Sequence, residues 1–363
     1  MIPIYEPELG ALEKKFVNEC IDTGWISSQG KFVKLFEEEM ASLHGLDNAV
    51  VTSSCTTALH LALVGMGIGP GDDVICPDLT FIAPANMIAL TGASLNLVDI
   101  DPLTLTLDPQ QVEDKIKPNT RAIMVVHQFG HAADMDAILD IARRYNLKVI
   151  EDNAESIGGQ YKGKILGTFG DAAVYSFFGN KIITSGEGGA VISTDSKLCQ
   201  RLSMLRDHGM NPEKKYEHLD LGFNYRMTNL QAAVGYAQLL EIKPILEKRH
   251  AQWICYEKYL GDIEEIQTRQ FADWCSPVHW LMTVSLESHE LRDGLIDFMK
   301  DRGIECRPMI NPVHEARHFA ADYNADDFPQ SCRASRTSLH LPSGNNITED
   351  QIMLIADTMK DFF

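Results

Sequence analysis

Ser176-Phe177-Phe178-Gly179-Asn180-Lys181 runs on into Thr184-Ser185-Gly186-Glu187-Gly188-Gly189. The stretch sets a hydroxyl five residues before a lysine and follows the lysine with a glycine-rich turn. It leaves an apolar run, Ala172 to Phe177, that reads as a strand. Further upstream, the apolar run Leu147 to Ile150 ends in Glu151-Asp152-Asn153-Ala154-Glu155. A second strand would therefore deliver carboxylates to the same end of a sheet as the lysine.

The pattern around these runs sets the fold class. Short β-branched segments recur at Ala49 to Thr52, Val74 to Cys76, Leu95 to Asp99, Ala122 to His127, Lys148 to Glu151, Ala172 to Phe177 and Ala190 to Ser193. Helical patterns such as Thr56 to Met66 and Asp134 to Tyr145 lie between several of them. Such alternation predicts an α/β fold with a mostly parallel seven-stranded sheet covered by helices. Ligands in such sheets bind beyond the carboxyl ends of the strands, where His127, Asp152 and Ser176 are placed. A long helical pattern from Thr228 to Tyr259, interrupted at Pro244, leads into a smaller C-terminal α/β part. That part carries a predicted strand, Leu281 to Leu286, and a helix, Leu291 to Arg302. We expect a large domain over residues 1–240, whose first segment packs on the small one, and a small domain over 241–363.

The chain has 363 residues and a formal net charge of −19. That field disfavours nucleic acid and anionic membrane surfaces as partners. Any phosphate must be held by local donors. No apolar run reaches the length of a membrane span, and the N-terminus lacks a signal-peptide pattern. The eight cysteines contain no C-x-x-C pair, so no metal site and no disulfide framework is expected. These features fit reduced thiols in a cytoplasmic protein.

Three residue types then converge on one chemistry. A desolvated lysine near a cation becomes a nucleophilic amine, although Lys181 by itself is also an ordinary surface residue. A buried carboxylate at Asp152 would pair with a pyridinium nitrogen, although loop aspartates are common. Glu151 would point to the opposite face. Ser53-Ser54-Cys55-Thr56-Thr57 is a strand-to-helix turn whose N–H groups and hydroxyls suit an anion, and equally suit a plain helix cap. Phe81 is able to stack on a planar ring or to pack in a core, and His127 to contact a ligand or to be structural. Together the set suggests a pyridoxal phosphate site in which Lys181 forms the Schiff base, with Ser176 as a second phosphate hydroxyl.

Matches in order along nearly the whole chain extend this set. They include Gly24-Trp25-Ile26-Ser27-Ser28 with Gly30, Gly67-Ile68-Gly69-Pro70-Gly71-Asp72, Gly130 with Asp134-Met135, and Gly222-Phe223-Asn224-Tyr225-Arg226-Met227. The chain resembles the DegT/DnrJ/EryC1/StrS nucleotide-sugar aminotransferases, fold-type I pyridoxal phosphate enzymes. The resemblance implies Lys181 as catalytic amine and Asp152 as pyridinium partner. It implies Ser176, Ser54, Cys55 and Thr56 at the phosphate, Phe81 on the ring, and Glu155 at the cofactor's phenolate oxygen. It implies that Asn224 reaches the site of a neighbouring subunit, making the working unit a homodimer with shared active sites. Trp25, Ser27, Ser28, Arg307 and His314 are implied as substrate contacts.

The implied substrates are L-glutamate and a nucleotide-linked 4-keto-6-deoxy sugar. The likeness is strongest to members acting on GDP-4-keto-6-deoxymannose, with UDP- and dTDP-linked ketosugars as alternatives. A subgroup with histidine in place of the lysine acts as dehydratases, and Lys181 argues against that chemistry. Two departures stand out. The family's Ser-Asn-Gly-Thr turn reads Ser53-Ser54-Cys55-Thr56, which removes a glycine's freedom. A glutamate at 155 would repel the phenolate unless protonated. A nicotinamide oxidoreductase would need a G-x-G-x-x-G turn after the first strand, and Thr52 to Thr57 has none. A non-catalytic regulatory protein on the same fold is the remaining alternative.

Overall fold

The computed structural model describes residues 1–363. Its main sheet has seven strands in the order Ala49–Thr52, Gly189–Ile192, Ala172–Ser176, Lys148–Asp152, Thr120–Val126, Asp73–Pro77 and Ser94–Val98. Gly189–Ile192 pairs antiparallel with both of its neighbours, and the remaining pairs are parallel. The sheet lies where the apolar runs predict it, because strands covered on both faces must be apolar almost continuously.

Side chains alternate between two cores. Val74 and Cys76 join one core with Leu59, Leu63, Ile88 and Leu202, from helices Cys55–Gly65, Ile82–Leu90 and Ser196–Arg206. Ile75 faces the other way, among Met135, Ile138 and Ile141 of helix Met135–Tyr145. Further along that second face, Val51 and Tyr175 pack with Phe36 and Ala233 of helices Lys31–Leu43 and Asn229–Leu240.

The break in the long helical pattern is not at Pro244. Helix Asn229–Leu240 ends at Glu241, which leaves helical geometry at φ −102° and ψ 13°, and helix Ile242–Leu260 follows. Pro244 stands in the first turn of that second helix. An amide hydrogen there has no intrahelical acceptor, so proline is tolerated.

Helix Ile242–Leu260 carries Trp253 and Tyr256 into a separate core with Met282, Val284, Leu295, Met299 and Ile355. A four-stranded sheet lies over it, in the order Gln267–Thr268, Met282–Ser285, Ser338–Leu341 and Arg307–Pro308, with antiparallel pairing throughout. The N-terminal segment joins this part: Ile2 exchanges backbone hydrogen bonds with Gly303 and Glu305, and the Ser343 N–H donates to the Ile4 carbonyl. No helix is long and apolar enough to cross a membrane.

Two aspartates just past the carboxyl ends of large-sheet strands tie the C-terminal part down. Asp78 accepts from the backbone N–H of His314 at 2.8 Å and from its ring Nδ1 at 2.7 Å. Asp99 accepts from the N–H groups of Gln330 and Ser331 and from the Ser331 hydroxyl. The second sheet is thereby held above the carboxyl edge of the first, and a cleft remains between them.

Candidate active site

A cavity of about 440 Å³ occupies that cleft. Ser54, Cys55, Thr56, Asp152, Ser176 and Lys181 line its floor, and Trp280, Arg307 and His340 close it from the second sheet. The floor is built by strand ends. Lys148–Asp152 delivers Asp152, and Ala172–Ser176 delivers Ser176 beside it. Gly189 pairs with both Ser176 and Thr52. A Cβ at Gly189 would lie 2.5 Å from the Ser54 carbonyl oxygen, so only glycine lets the turn at Ser54 approach the sheet.

Ser54 caps the helix that starts at Cys55, accepting from the Thr57 N–H at 3.2 Å. Cys55 is the first helical residue and is absent from the positive-φ positions. The expected cost of losing a glycine here does not arise, because the helical backbone suits any L-residue. Burial and the nearby Asp152 charge push the Cys55 thiol well up, so it stays protonated.

Asp152 is buried, and its carboxylate accepts one hydrogen bond within the chain, from the Ala154 N–H at 2.9 Å. Burial pushes its carboxyl up to about 6; the Ala154 N–H and Lys181 oppose this, and the Glu155 charge adds to it. A buried carboxylate so short of partners calls for a cation from the cavity. Glu151 shows the contrast. It turns to the opposite side and accepts from Gly167, Phe169 and Gly170 N–H groups and from His127 Nε2. Burial alone would raise its carboxyl, but His127 and these N–H groups hold it below the ordinary range. His127 Nδ1 accepts from the Ala133 N–H, so this histidine is structural and lies outside the cavity wall.

The Lys181 side chain is 13% exposed. Its Nζ lies 3.2 Å from Glu155 Oε1 and 3.7 Å from the centroid of a Trp280 ring. Glu155 Oε2 accepts from the Phe129 N–H at 2.7 Å. Both oxygens of this glutamate therefore face donors of the chain itself. Phe81 is 60% exposed at the start of helix Ile82–Leu90 and lines the cavity.

The remaining candidates divide. Arg307 lines the cavity, with its guanidinium 3.3 Å from Glu305. His314 does not line it: it is 4% exposed, bonded to Asp78 and stacked on Phe328. Trp25, Ser27 and Ser28 also lie outside the lining. Their loop packs on Asn229, which donates from its side chain to the Trp25 carbonyl and from its backbone to the Ser27 carbonyl. Trp25 itself is largely exposed. Asn224 is exposed and away from this chain's own cavity, with its Oδ1 accepting from Arg226.

Sequence reading missed Trp280, Gln128 and His340 on the wall. Trp280 is a single aromatic just before the short strand Met282–Ser285, with no motif around it. Burial, followed by the charges of Arg269 and Arg307, pushes His340 down to about 3, so its ring is neutral.

Residues 7–360 match the model of the DegT/DnrJ/EryC1/StrS aminotransferase family. The chain belongs to this family. It is 44% identical to the GDP-perosamine synthase of Caulobacter vibrioides, over 97% of this chain and 95% of that one. It is 38% identical to the GDP-perosamine synthase of Escherichia coli O157:H7, over 100% and 98%. Among solved structures, DesV of S. venezuelae, in complex with a ketimine intermediate, superposes with a TM-score of 0.91 at 34% identity, covering 96% of this chain and 94% of that one. The chain is thus a pyridoxal phosphate-dependent aminotransferase of fold-type I. The site fits that cofactor on its own chemistry: a helix N-terminus with hydroxyls for the phosphate, an under-partnered buried carboxylate for the ring nitrogen, and a lysine lining the same cavity.

Proposed function

We propose that this protein moves the amino group of L-glutamate to C4 of GDP-4-keto-6-deoxymannose, giving GDP-perosamine. The observation that carries the reading is the 44% identity to a GDP-perosamine synthase across 97% of the chain. A cavity whose reactive residues fit amino transfer supports it.

Pyridoxal phosphate, when bound, supplies a carbonyl that links to amines and a ring that takes up electrons from the bond being broken. The chain's own residues do the rest. Asp152 holds the ring nitrogen in its charged form. Thr56, Ser54, Cys55 and Ser176 bind the phosphate, and Phe81 covers the ring. Glu155 would face the phenolate side, and its Oε1 positions Lys181 Nζ at 3.2 Å. As the free amine, Lys181 Nζ is the base that would take the proton from the substrate carbon bearing the amino group, and the acid that would return it. It reverses that transfer for the sugar. Trp280, with a ring centroid 3.7 Å from Nζ, would limit water there, so the proton is kept on Nζ between removal and return.

Arg307, on the wall facing the floor, is the substrate cation in this reading. We propose further that Asn224 serves a neighbouring subunit's phosphate, which makes the homodimer the active form. We place the protein in the cytoplasm, in the supply of amino sugars for surface polysaccharide.

The test uses purified holoprotein. Glutamate is added and 2-oxoglutarate measured; the excess glutamate is removed, GDP-4-keto-6-deoxymannose is added, and the amino sugar is counted by mass spectrometry. One amino sugar per site supports the full reading. 2-Oxoglutarate without amino sugar removes the GDP-sugar and directs the search to UDP- and dTDP-linked ketosugars. Neither product removes the enzymatic reading in favour of a regulatory one.

A further inference from the structure

Gln128 is 1% exposed and lines the cavity, yet its amide nitrogen has no hydrogen-bond partner. Buried amides in folded proteins are nearly always bonded, and one left unpaired points to a missing partner. The cavity is the space from which that partner can come. A second orphan shares the wall: the side-chain oxygen of Asn180, next to Lys181, is buried without a donor. One is a donor and the other an acceptor.

The backbone that carries Gln128 cannot easily turn the amide elsewhere. Its carbonyl accepts from Arg269 Nη2 at 3.0 Å and from the His131 N–H at 3.1 Å. Arg269 also holds the carbonyls of Phe129 and Thr104. Phe129 takes the left-handed conformation at φ 50°, and a Cβ at Gly130 would lie 1.8 Å from the Val278 carbonyl oxygen. A segment so closely packed holds the side chain at the cavity wall in advance of binding, at the expense of stability.

The nature of the missing partner follows from the rest of the wall. The residues that suit the phosphate, ring nitrogen and phenolate lie on the floor, at Thr56, Ser176, Asp152 and Glu155. A neutral amide adds no charge for a carboxylate, whereas Arg307 does. An amide suits a hydroxyl, which both donates and accepts. We propose that Gln128, with Asn180, reads a ring hydroxyl of the ketosugar beside the reacting carbon, and so sets sugar specificity. The inference rests on the ketosugar reading above, though not on which nucleotide the sugar carries.

The test replaces the amide by an apolar side chain of similar length, Gln128→Met. The ketosugar the parent uses is compared with congeners that each lack one ring hydroxyl. The variant is expected to keep the glutamate half-reaction unchanged and to raise KM for the parent ketosugar about tenfold. For one congener, parent and variant are expected to be equal, because the variant has lost the group that would notice the missing hydroxyl. The cofactor-free variant is expected to melt no lower than the parent, since an unpaired buried amide has been removed. An unchanged KM, equal loss in both half-reactions, or a lower melting temperature overturns the assignment. A parent that accepts no ketosugar overturns the functional reading itself and this inference with it. A parent that turns over while the variant matches it on every congener overturns the inference alone.

Discussion

Lys181 Nζ lies 3.7 Å from the centroid of a Trp280 ring, and the Trp280 indole N–H donates to the carbonyl of Asn180, the residue before that lysine, at 2.6 Å. The ring that covers the amine is thus tied to the backbone that carries it. Arg249 fixes the other end by bonding the His279 and Trp280 carbonyls. A cation held on an indole face gains about 0.5–2 kcal/mol. Trp280→Leu should lower kcat about tenfold with little change in KM for either substrate. Trp280→Phe keeps an aromatic face and should recover part of the loss. Steady-state kinetics on both variants checks this; equal losses would mean the indole N–H, not the ring face, is what matters.

Asp152 gives a pH-dependent prediction for the cofactor-free protein. Its carboxyl sits at about 6 in the fold against an ordinary 3.8, because burial disfavours the charge. A raised folded value favours the fold below pH 3.8, and that contribution is lost as pH rises through 6. The cost at neutral pH is at most about 3 kcal/mol by linkage. Cofactor-free Asp152→Asn should therefore be more stable than the parent at pH 8 and equal to it near pH 3.5. Denaturant midpoints across that range decide. The same variant should bind the cofactor more weakly, since no carboxylate then meets the ring nitrogen.

Much of this was legible in the chain. The large sheet could be read because its strands are buried on both faces and so are apolar without a break. Lys181, Asp152, Ser176 and Thr56 could be read because strand ends in such a sheet all open on one side. His314 and Trp25 could not be placed that way. Whether a histidine faces a cleft or an aspartate depends on how two sheets stack, and Asp78 lies 236 residues from His314. Trp280 was invisible for the same reason: it belongs to the wall only after the second sheet closes over the first. Gln128 follows His127 just past a strand end, and the spacing does not tell which of these two neighbours faces the cleft. The glycine lost at Cys55 looked costly in the sequence and is neutral in the fold, because the helix starts one residue earlier than expected.

Glu151 is a test of satisfied burial. Each of its oxygens accepts from two of the donors Gly167, Phe169, Gly170 and His127. Glu151→Gln would turn an NH₂ group toward N–H groups that need an acceptor. A loss of about 2–4 kcal/mol is expected from the broken set. Urea unfolding of the cofactor-free protein measures it. A loss under about 0.5 kcal/mol, within the scatter of surface changes, would mean that the 167–170 turn does not depend on this carboxylate.

Asn224 yields a complementation test of the shared site. Lys181→Ala should abolish turnover. Asn224→Ala should weaken cofactor binding enough to leave little activity. If each site combines one subunit's lysine with its neighbour's asparagine, a mixture of the two variants regenerates some intact sites. Random exchange in a dimer gives about a quarter of the sites both groups. Activity recovered after co-refolding of equal amounts supports sharing. No recovery, with dimers present by light scattering, refutes it.

His314 separates a structural role from a substrate one. Its ring Nδ1 and its backbone N–H both serve Asp78, which is fully buried. Burial raises the Asp78 carboxyl, and the His314 contacts pull it back. Removing the ring leaves that carboxylate with too few donors inside the protein. His314→Ala should cost about 2–4 kcal/mol of stability. His314→Asn, whose amide can still donate, should recover part of it. KM for the ketosugar should be unchanged in both, because the histidine is outside the cavity lining. The measurements are urea midpoints and KM at a temperature where both variants are folded. A raised KM without lost stability would return His314 to the substrate site, and would mean that the segment tied to Asp78 moves when the sugar binds.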